Sequence, residues 1–193
     1  MTAKEKIFQS IEEKKEQYIQ AADHIWEYAE TSFREYRSSR ELAEILEKEG
    51  FTVDKGIAGI PTAFRGTYGK GSPVIGILGE YDALAGLSQK GGAVEREAVT
   101  PGGNGHGCGH NCLGTGALAG AVAVKDYLKE HPEISGTIVY LGCPAEEGGS
   151  GKVFMARAGI FDNLDVALTW HPYATANVFS GSTLAVIHLE VSF

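Results

Sequence analysis

The stretch PVIGIL at residues 73–78 decides how this chain folds. A short, continuous apolar run of this kind is typical of a strand that is buried on both faces of a sheet. Residues 137–141 (TIVYL) and 166–169 (VALT) have the same character, and predicted helices separate the three runs. This alternation predicts an α/β protein, a three-layer α/β/α sandwich with a mixed, largely parallel sheet.

The N-terminal third predicts helices that would cover this sheet. Residues 4–30 carry apolar side chains at helical spacing, and we expect them to form one long helix. Ser38 and Ser39 are expected to cap a second helix at residues 40–49. Further strands are expected at residues 51–53, 62–68 and 184–191, and further helices at residues 115–131 and 152–158.

Composition and charge exclude several classes of protein. The formal net charge is −8, and the 193 residues contain no run of lysine and arginine, which argues against nucleic acid and anionic membranes as partners. No segment approaches the roughly 20 consecutive apolar residues that a membrane span needs. The charged, helix-like N-terminus is not expected to act as a signal peptide, and an odd number of three cysteines predicts no disulfide framework. We therefore expect a cytoplasmic protein.

Polar side chains follow each of the three buried runs. Glu80 and Asp82 come after the first run, Glu146 and Glu147 after the second, and His171 after the third. In open α/β sheets, ligands bind beyond the carboxyl ends of the strands, so these groups are expected to meet at one edge. Two adjacent carboxylates at a strand end repel each other unless a cation or a proton intervenes. A solvated surface pair is the simpler explanation of a Glu-Glu dipeptide.

The segment GHGCGHN at residues 105–111 places a thiol and two imidazoles within five positions. Thiolate and imidazole are preferred ligands of zinc and its neighbours, and the intervening glycines allow a tight turn. No second Cys/His cluster with finger spacing follows, which argues against a zinc finger, and Cys108 and Cys112 lack the Cys-x-x-Cys redox spacing. A flexible loop with an incidental thiol is the simpler alternative. His106 is a candidate substrate-contacting group.

Four ordered strings strengthen the metal-site hypothesis: GEYDAL at 79–84, GHGCGHN at 105–111, CPAEEGGSGK at 143–152 and TWHP at 169–172. Together they resemble the aminoacylase and glutamate-carboxypeptidase family of co-catalytic metallopeptidases. Within that family they are most similar to the amidohydrolase branch, which holds auxin-conjugate amidohydrolases and aminobenzoyl-glutamate hydrolase.

The resemblance implies a role for each matching residue. It implies two divalent metal ions, zinc or manganese, bound by four side chains: Cys108, His110, Glu147 and His171. Glu146 would be the general base that takes a proton from a metal-bridged water. Asp82 would support the site, and Glu80 need not bind metal.

The implied reaction is cleavage of the amide bond of N-acyl or N-aroyl amino acids or of short peptides. Residues 1–180 would be the N-terminal part of the catalytic domain, and residues 181–193 the beginning of a lid domain through which a full-length form would make a homodimer. The family's further metal-binding histidine, which follows the lid, is missing from these 193 residues. A catalytically incomplete metal-binding fragment or assembly partner is therefore the alternative function. A thiol-dependent hydrolase using Cys108 lacks the His and Asn/Asp support that such a nucleophile needs.

Overall fold

A computed structural model describes residues 2–176 and residue 178. The helices are α1 (Ala3–Glu13), α2 (Lys15–Tyr28), α3 (Tyr36–Lys48), α4 (His110–Glu130) and α5 (Gly151–Arg157). The strands are β1 (Thr52–Lys55), β2 (Phe64–Lys70), β3 (Val74–Gly79), β4 (Gly136–Gly142) and β5 (Val166–Leu168), and a short 3-10 helix lies at Ile57–Gly59. The strand expected at residues 184–191 lies outside the described residues.

The five strands form one mixed sheet in the order β1-β2-β4-β3-β5. Strands β4 and β5 run parallel to β3 on either side of it, whereas β1 and β4 are antiparallel to β2. Gly79 at the end of β3 lies opposite Gly142 at the end of β4, so both strands leave the sheet at the same level. The predicted α/β architecture is confirmed, and the ends of β3 and β4 lie side by side.

Helices cover both faces of the sheet. On one face α1 to α4 pack around a core that includes Ile25, Leu46, Leu118 and Tyr140, all fully buried. On the other face a smaller cluster, which includes Met155 of α5, packs against Val139 and Leu141. Among the described residues, no helix is both long and apolar enough to cross a bilayer.

Glycine brings α4 unusually close to the end of β3. A Cβ atom on Gly114 would lie 2.5 Å from the carbonyl oxygen of Glu80, which is closer than real Cβ atoms approach. The small side chains of α4 therefore let the helix pack directly on the strand end that leads into the acidic residues.

The single helix expected at residues 4–30 is wrong, because the structure contains two helices that meet at Lys14. Lys14 leaves helical geometry (φ −112°, ψ 7°). Its ammonium donates hydrogen bonds to Glu49 and Asp126, at 2.5 and 2.9 Å. Apolar spacing continues through the break, so the pattern alone does not reveal it.

The expected serine cap is also wrong. Helix α3 begins at Tyr36, and Ser38 and Ser39 lie buried inside its first turn. The carboxylate of Glu30 accepts hydrogen bonds from the backbone N–H groups of Arg37 and Ser38, at 2.9–3.0 Å. A carboxylate from the preceding loop thus satisfies the free amides that a serine cap would otherwise bind.

Candidate metal centre and catalytic site

Three backbone features bring the predicted site residues to one edge of the sheet. The segments after β3 and β4 carry the acidic residues, and the segment after β5 carries His171. His110 is the first residue of α4, which begins earlier than the sequence predicts. Gly109, directly before it, has φ +77°, and a Cβ atom there would lie 3.1 Å from Pro172. This glycine allows the chain to turn sharply and lets the TWHP segment approach α4.

Asp82 orients the imidazole of His110. Both residues are buried, and Nδ1 of His110 lies 2.9 Å from Oδ1 and 3.1 Å from the backbone oxygen of Asp82. Since both partners are acceptors, Nδ1 carries the proton in the neutral ring and Nε2 offers its lone pair. Burial lowers the pKa of His110, but the hydrogen bond and charge of Asp82, followed by the charges of Glu80 and Glu147, raise it above its usual value overall.

A thiol and a second imidazole lie beside this ring. Sγ of Cys108 is 3.3 Å from Nε2 of His171, and one ligand atom from each of Cys108, His110 and His171 lies within 4.8 Å of the others. Ligands of one tetrahedral zinc, at bond lengths of roughly 2.1–2.3 Å, are about 3.5 Å apart. Burial, followed by a hydrogen bond to Glu147 and nearby carboxylate charges, raises the pKa of Cys108 to about 11. A nearby cation would favour the thiolate.

Two buried atoms in this cluster have no hydrogen-bond partner among the residues that the structure describes: Nε2 of His110 and Oε1 of Glu147. They lie 3.9 Å apart. Oε2 of Glu80 is 3.1 Å from the same nitrogen, but it is not aligned for a hydrogen bond. Two metal–ligand bonds of about 2.1 Å span up to roughly 4.2 Å between their outer atoms, so one ion fits between the two unpaired atoms. Unpaired buried polar atoms are costly, and a bound cation would satisfy both.

The remaining carboxylates differ in their surroundings. Glu80 is buried and is hydrogen-bonded by the ammonium of Lys152. The Glu146 side chain is 45% exposed, and its Oε2 lies 3.9 Å from Nε2 of His110. Burial and the charge of Glu80 raise the pKa of Glu146, and Lys152 and His110 oppose that rise. Glu80, His110 and Glu146 also form a group of ligand atoms within 4.8 Å of one another.

His106 does not join these groups. Its Nε2 lies 2.9 Å from the carbonyl oxygen of Ile25 in α2, and its Nδ1 is buried with no hydrogen-bond partner within residues 2–176. Burial lowers the pKa of His106 to about 4, although the hydrogen bond to Ile25 opposes that shift. The His106 ring is therefore neutral near pH 7, and its hydrogen bond ties it to the backbone of α2.

Sequence reasoning missed two residues that contact the site. The carboxylate of Glu35 is buried and accepts a hydrogen bond from the backbone N–H of Ala145. The hydroxyl of Ser32 donates to the backbone oxygen of Glu147 at 2.7 Å. Both residues lie in the connection between α2 and α3, far from the four strings, and no spacing or composition marks them.

Residues 76–185 match the model of Peptidase family M20/M25/M40. The chain is 53% identical to a p-aminobenzoyl-glutamate hydrolase subunit of Escherichia coli over 184 residues, which is 95% of this chain and 38% of that protein. It is 32% identical to the Xaa-Arg dipeptidase of Mus musculus, over 77% of this chain and 33% of that protein. It is 34% identical to an IAA-amino acid hydrolase of Arabidopsis thaliana, over 76% of this chain and 32% of that protein.

The chain belongs to Peptidase family M20/M25/M40. It spans between about a third and two fifths of the length of these relatives.

Solved structures show the same fold. A putative aminohydrolase from methicillin-resistant Staphylococcus aureus superposes with a TM-score of 0.70 at 22% identity, covering 86% of this chain and 42% of that one. A Bacillus subtilis dinuclear metal binding peptidase of the M20 family superposes with a TM-score of 0.61 at 21% identity, covering 78% of this chain and 41% of that one. The described residues therefore have the architecture of this peptidase family.

Proposed function

We propose that the protein is a metal-dependent amidohydrolase that cleaves the amide bond of N-acyl or N-aroyl amino acids or of short peptides. The observation that carries this proposal is the pair of unpaired buried atoms, His110 Nε2 and Glu147 Oε1, beside Cys108, His171 and the accessible carboxylate of Glu146. The relatives support the substrate class, since their names denote hydrolases of an aminobenzoyl-glutamate, of Xaa-Arg dipeptides and of IAA-amino acids.

The residues that would hold two divalent ions, zinc or manganese, are Cys108, His110, Glu147 and His171. Thiolate and imidazole suit zinc, and carboxylate suits manganese as well, so the donor set is compatible with both metals. Such ions supply Lewis acidity and make a bound water more acidic.

Glu146 is the proposed general base. Its carboxylate is partly exposed, unlike those of Glu80 and Asp82, so a substrate can approach it. It would accept a proton from the attacking water and return that proton to the departing amide nitrogen. Asp82 would hold His110 in the tautomer that presents Nε2. A substrate contact by His106 stays a prediction.

We propose further that residues 1–180 are part of the catalytic domain, that residues 181–193 begin a lid domain and that a homodimer forms through this lid. We also propose a cytoplasmic location. The location is supported by the scarcity of cysteines, none of which forms a disulfide.

Replacing Glu146 tests the catalytic role. In the protein expressed from its complete reading frame, Glu146→Gln is expected to lower kcat by about 10²–10⁴, the usual contribution of a general base, while bound metal stays unchanged. Hydrolysis of an aminobenzoyl-amino acid and metal content by mass spectrometry are the measurements. Glu44→Gln, on the exposed face of α3, is the matched control. Turnover by Glu146→Gln at the wild-type rate would contradict the assignment.

The alternative function is that of a metal-binding fragment or assembly partner. The length of the chain favours it, because the chain spans 38% of the relative to which it is 53% identical. The same assay on the 193-residue chain distinguishes the two functions. Metal binding without any hydrolysis by this chain or by the product of its complete reading frame would support the alternative.

A further inference from the structure

Residues 144–148, here called the catalytic turn, carry Glu146 and Glu147 directly after β4. Ala145 adopts φ +58°, in the left-handed region that side chains with a Cβ atom rarely occupy. Its carbonyl oxygen accepts a hydrogen bond from the N–H of Gly151 at 3.1 Å, which closes the turn. A turn with such a conformation needs surrounding contacts that hold it.

The buried carboxylate of Glu35 provides one such contact. Its Oε1 accepts hydrogen bonds from the N–H groups of Phe33 and Ala145, both at 2.9 Å. Phe33 is itself left-handed, with φ +62°, so one oxygen holds the amides of two left-handed residues on separate segments. The other oxygen, Oε2, accepts from the hydroxyl of Thr62 at 3.0 Å, and the Thr62 carbonyl accepts from the hydroxyl of Tyr81 at 2.6 Å.

Ser32 holds the other end of the catalytic turn. Its hydroxyl donates to the backbone oxygen of Glu147 at 2.7 Å, and the N–H of Glu147 donates to Oδ2 of Asp82 at 2.8 Å. Ser32 is also 3.3 Å from that Asp82 oxygen. Glu146 therefore lies between Ala145 and Glu147. Side chains from the connection between α2 and α3 form hydrogen bonds with the backbone of both neighbours.

We propose that Glu35 and Ser32 are positioning residues for the general base. They hold the catalytic turn so that the carboxylate of Glu146 faces the attacking water and that of Glu147 faces His110. The inference rests on the proposed function for its effect on turnover, whereas the restraint of the turn can be measured without any reaction.

The geometry requires a hydrogen-bond acceptor at Oε1, but it does not require the negative charge of Glu35. In Glu35→Gln the amide oxygen can occupy the position of Oε1 and accept from both backbone N–H groups. The amide NH₂ then faces the hydroxyl of Thr62, which can rotate and accept. Glu35→Met keeps the length of the side chain and removes both acceptors. This pair of variants separates positioning from charge.

The experiment compares four variants of the protein expressed from its complete reading frame: Glu35→Gln, Glu35→Met, Ser32→Ala and the control Ser39→Ala. The control makes the same change in α3, where the Ser39 hydroxyl donates to the backbone oxygen of Tyr36. Three quantities are measured: kcat and KM for amide hydrolysis, metal content, and the hydrogen-exchange rate of the Ala145 amide.

Glu35→Met is expected to lower kcat by about 10²-fold, the effect of misplacing a catalytic group by about 1 Å, and to leave KM and metal content within about threefold. Its Ala145 amide should exchange at least about tenfold faster, because a hydrogen bond to a charged acceptor is lost. Glu35→Gln should retain kcat and protection within about threefold. Ser32→Ala should lower kcat by about tenfold, and Ser39→Ala should match the wild type.

Wild-type kcat and unchanged Ala145 exchange in Glu35→Met would overturn the proposal, as would equal losses in Glu35→Gln and Glu35→Met. If Glu35→Met does not fold, wild-type kcat in Ser32→Ala overturns it. If the wild-type protein hydrolyses no amide, the proposed function fails, but faster Ala145 exchange in Glu35→Met together with protection in Glu35→Gln still supports the restraint of the turn.

Discussion

Replacing Asp82 by asparagine should weaken metal binding, because each of its two carboxylate oxygens accepts a bond from a different part of the site. Oδ1 lies 2.9 Å from Nδ1 of His110, and Oδ2 accepts from the N–H of Glu147 at 2.8 Å. Asparagine offers one acceptor and one NH₂ group, so in either orientation a donor faces a donor.

The magnitude follows from the position of Asp82 behind the imidazole of His110, which we propose as a metal ligand. Loss of such a partner costs about 10–100-fold in metal affinity, or roughly 1.4–2.7 kcal/mol. We expect the loss of metal affinity in Asp82→Asn to lie near the upper end of this range. If the asparagine oxygen keeps the bond to His110, its NH₂ group faces the N–H of Glu147 and disturbs the segment that carries Glu147.

Competition with a chromophoric chelator, for zinc and for manganese separately, measures the change in affinity. The measurement uses the protein expressed from its complete reading frame. Asp54→Asn is the matched control, because Asp54 pairs with Arg65 on the exposed side of β1 and β2. Zinc affinity of Asp82→Asn within threefold of the wild type, with manganese affinity equally unchanged, would refute the assignment of Asp82 to the metal centre.

Two further predictions concern stability. Glu30→Ala removes the acceptor for two amides of the first turn of α3, so urea unfolding should show a loss of about 0.5–2 kcal/mol; an unchanged midpoint would contradict the capping role. Asp126 is partly buried, which raises its pKa, but hydrogen bonds from Lys125, Ser10 and Lys14 lower the pKa overall, from 3.8 to about 2. A depressed carboxyl pKa stabilises the fold above pH 3.8, and this contribution is lost as the pH falls toward about 2. Asp126→Asn should therefore show a weaker loss of stability across this interval in unfolding measured by circular dichroism, and an identical acid profile would contradict the linkage.

The central strands could be predicted because their physical signal is local. β3 and β4 are apolar through most of their length and are bounded by glycine or proline, and the structure places both in the interior of the sheet. The break at Lys14 could not be predicted in this way. At the break, Lys14 pairs with Glu49 and Asp126, which are 35 and 112 residues away along the chain, so no local pattern marks these contacts.

The residues of the candidate site also differ in whether a local sequence signal marks them. Cys108, His110, Glu146, Glu147 and His171 could be proposed from the sequence because thiol, imidazole and paired carboxylates after buried strands are unusual. Glu35 could not, since it is one of many glutamates in the N-terminal third and nothing in its neighbours distinguishes it. A residue that acts through hydrogen bonds to a distant backbone has no local pattern.

Glu80 shows how the surroundings of a carboxylate decide its chemistry. Glu80 and Glu146 both lie near Nε2 of His110, at 3.1 and 3.9 Å. Lys152 binds the other oxygen of Glu80, so the charge of this buried carboxylate is already compensated. Glu146 is more exposed and has no hydrogen bond to a cation among the described residues. Because Glu80 is buried and already bound by an ammonium, whereas Glu146 is accessible to a substrate, we propose Glu146 for proton transfer, with Glu80 and Lys152 as a fixed charge pair beside it.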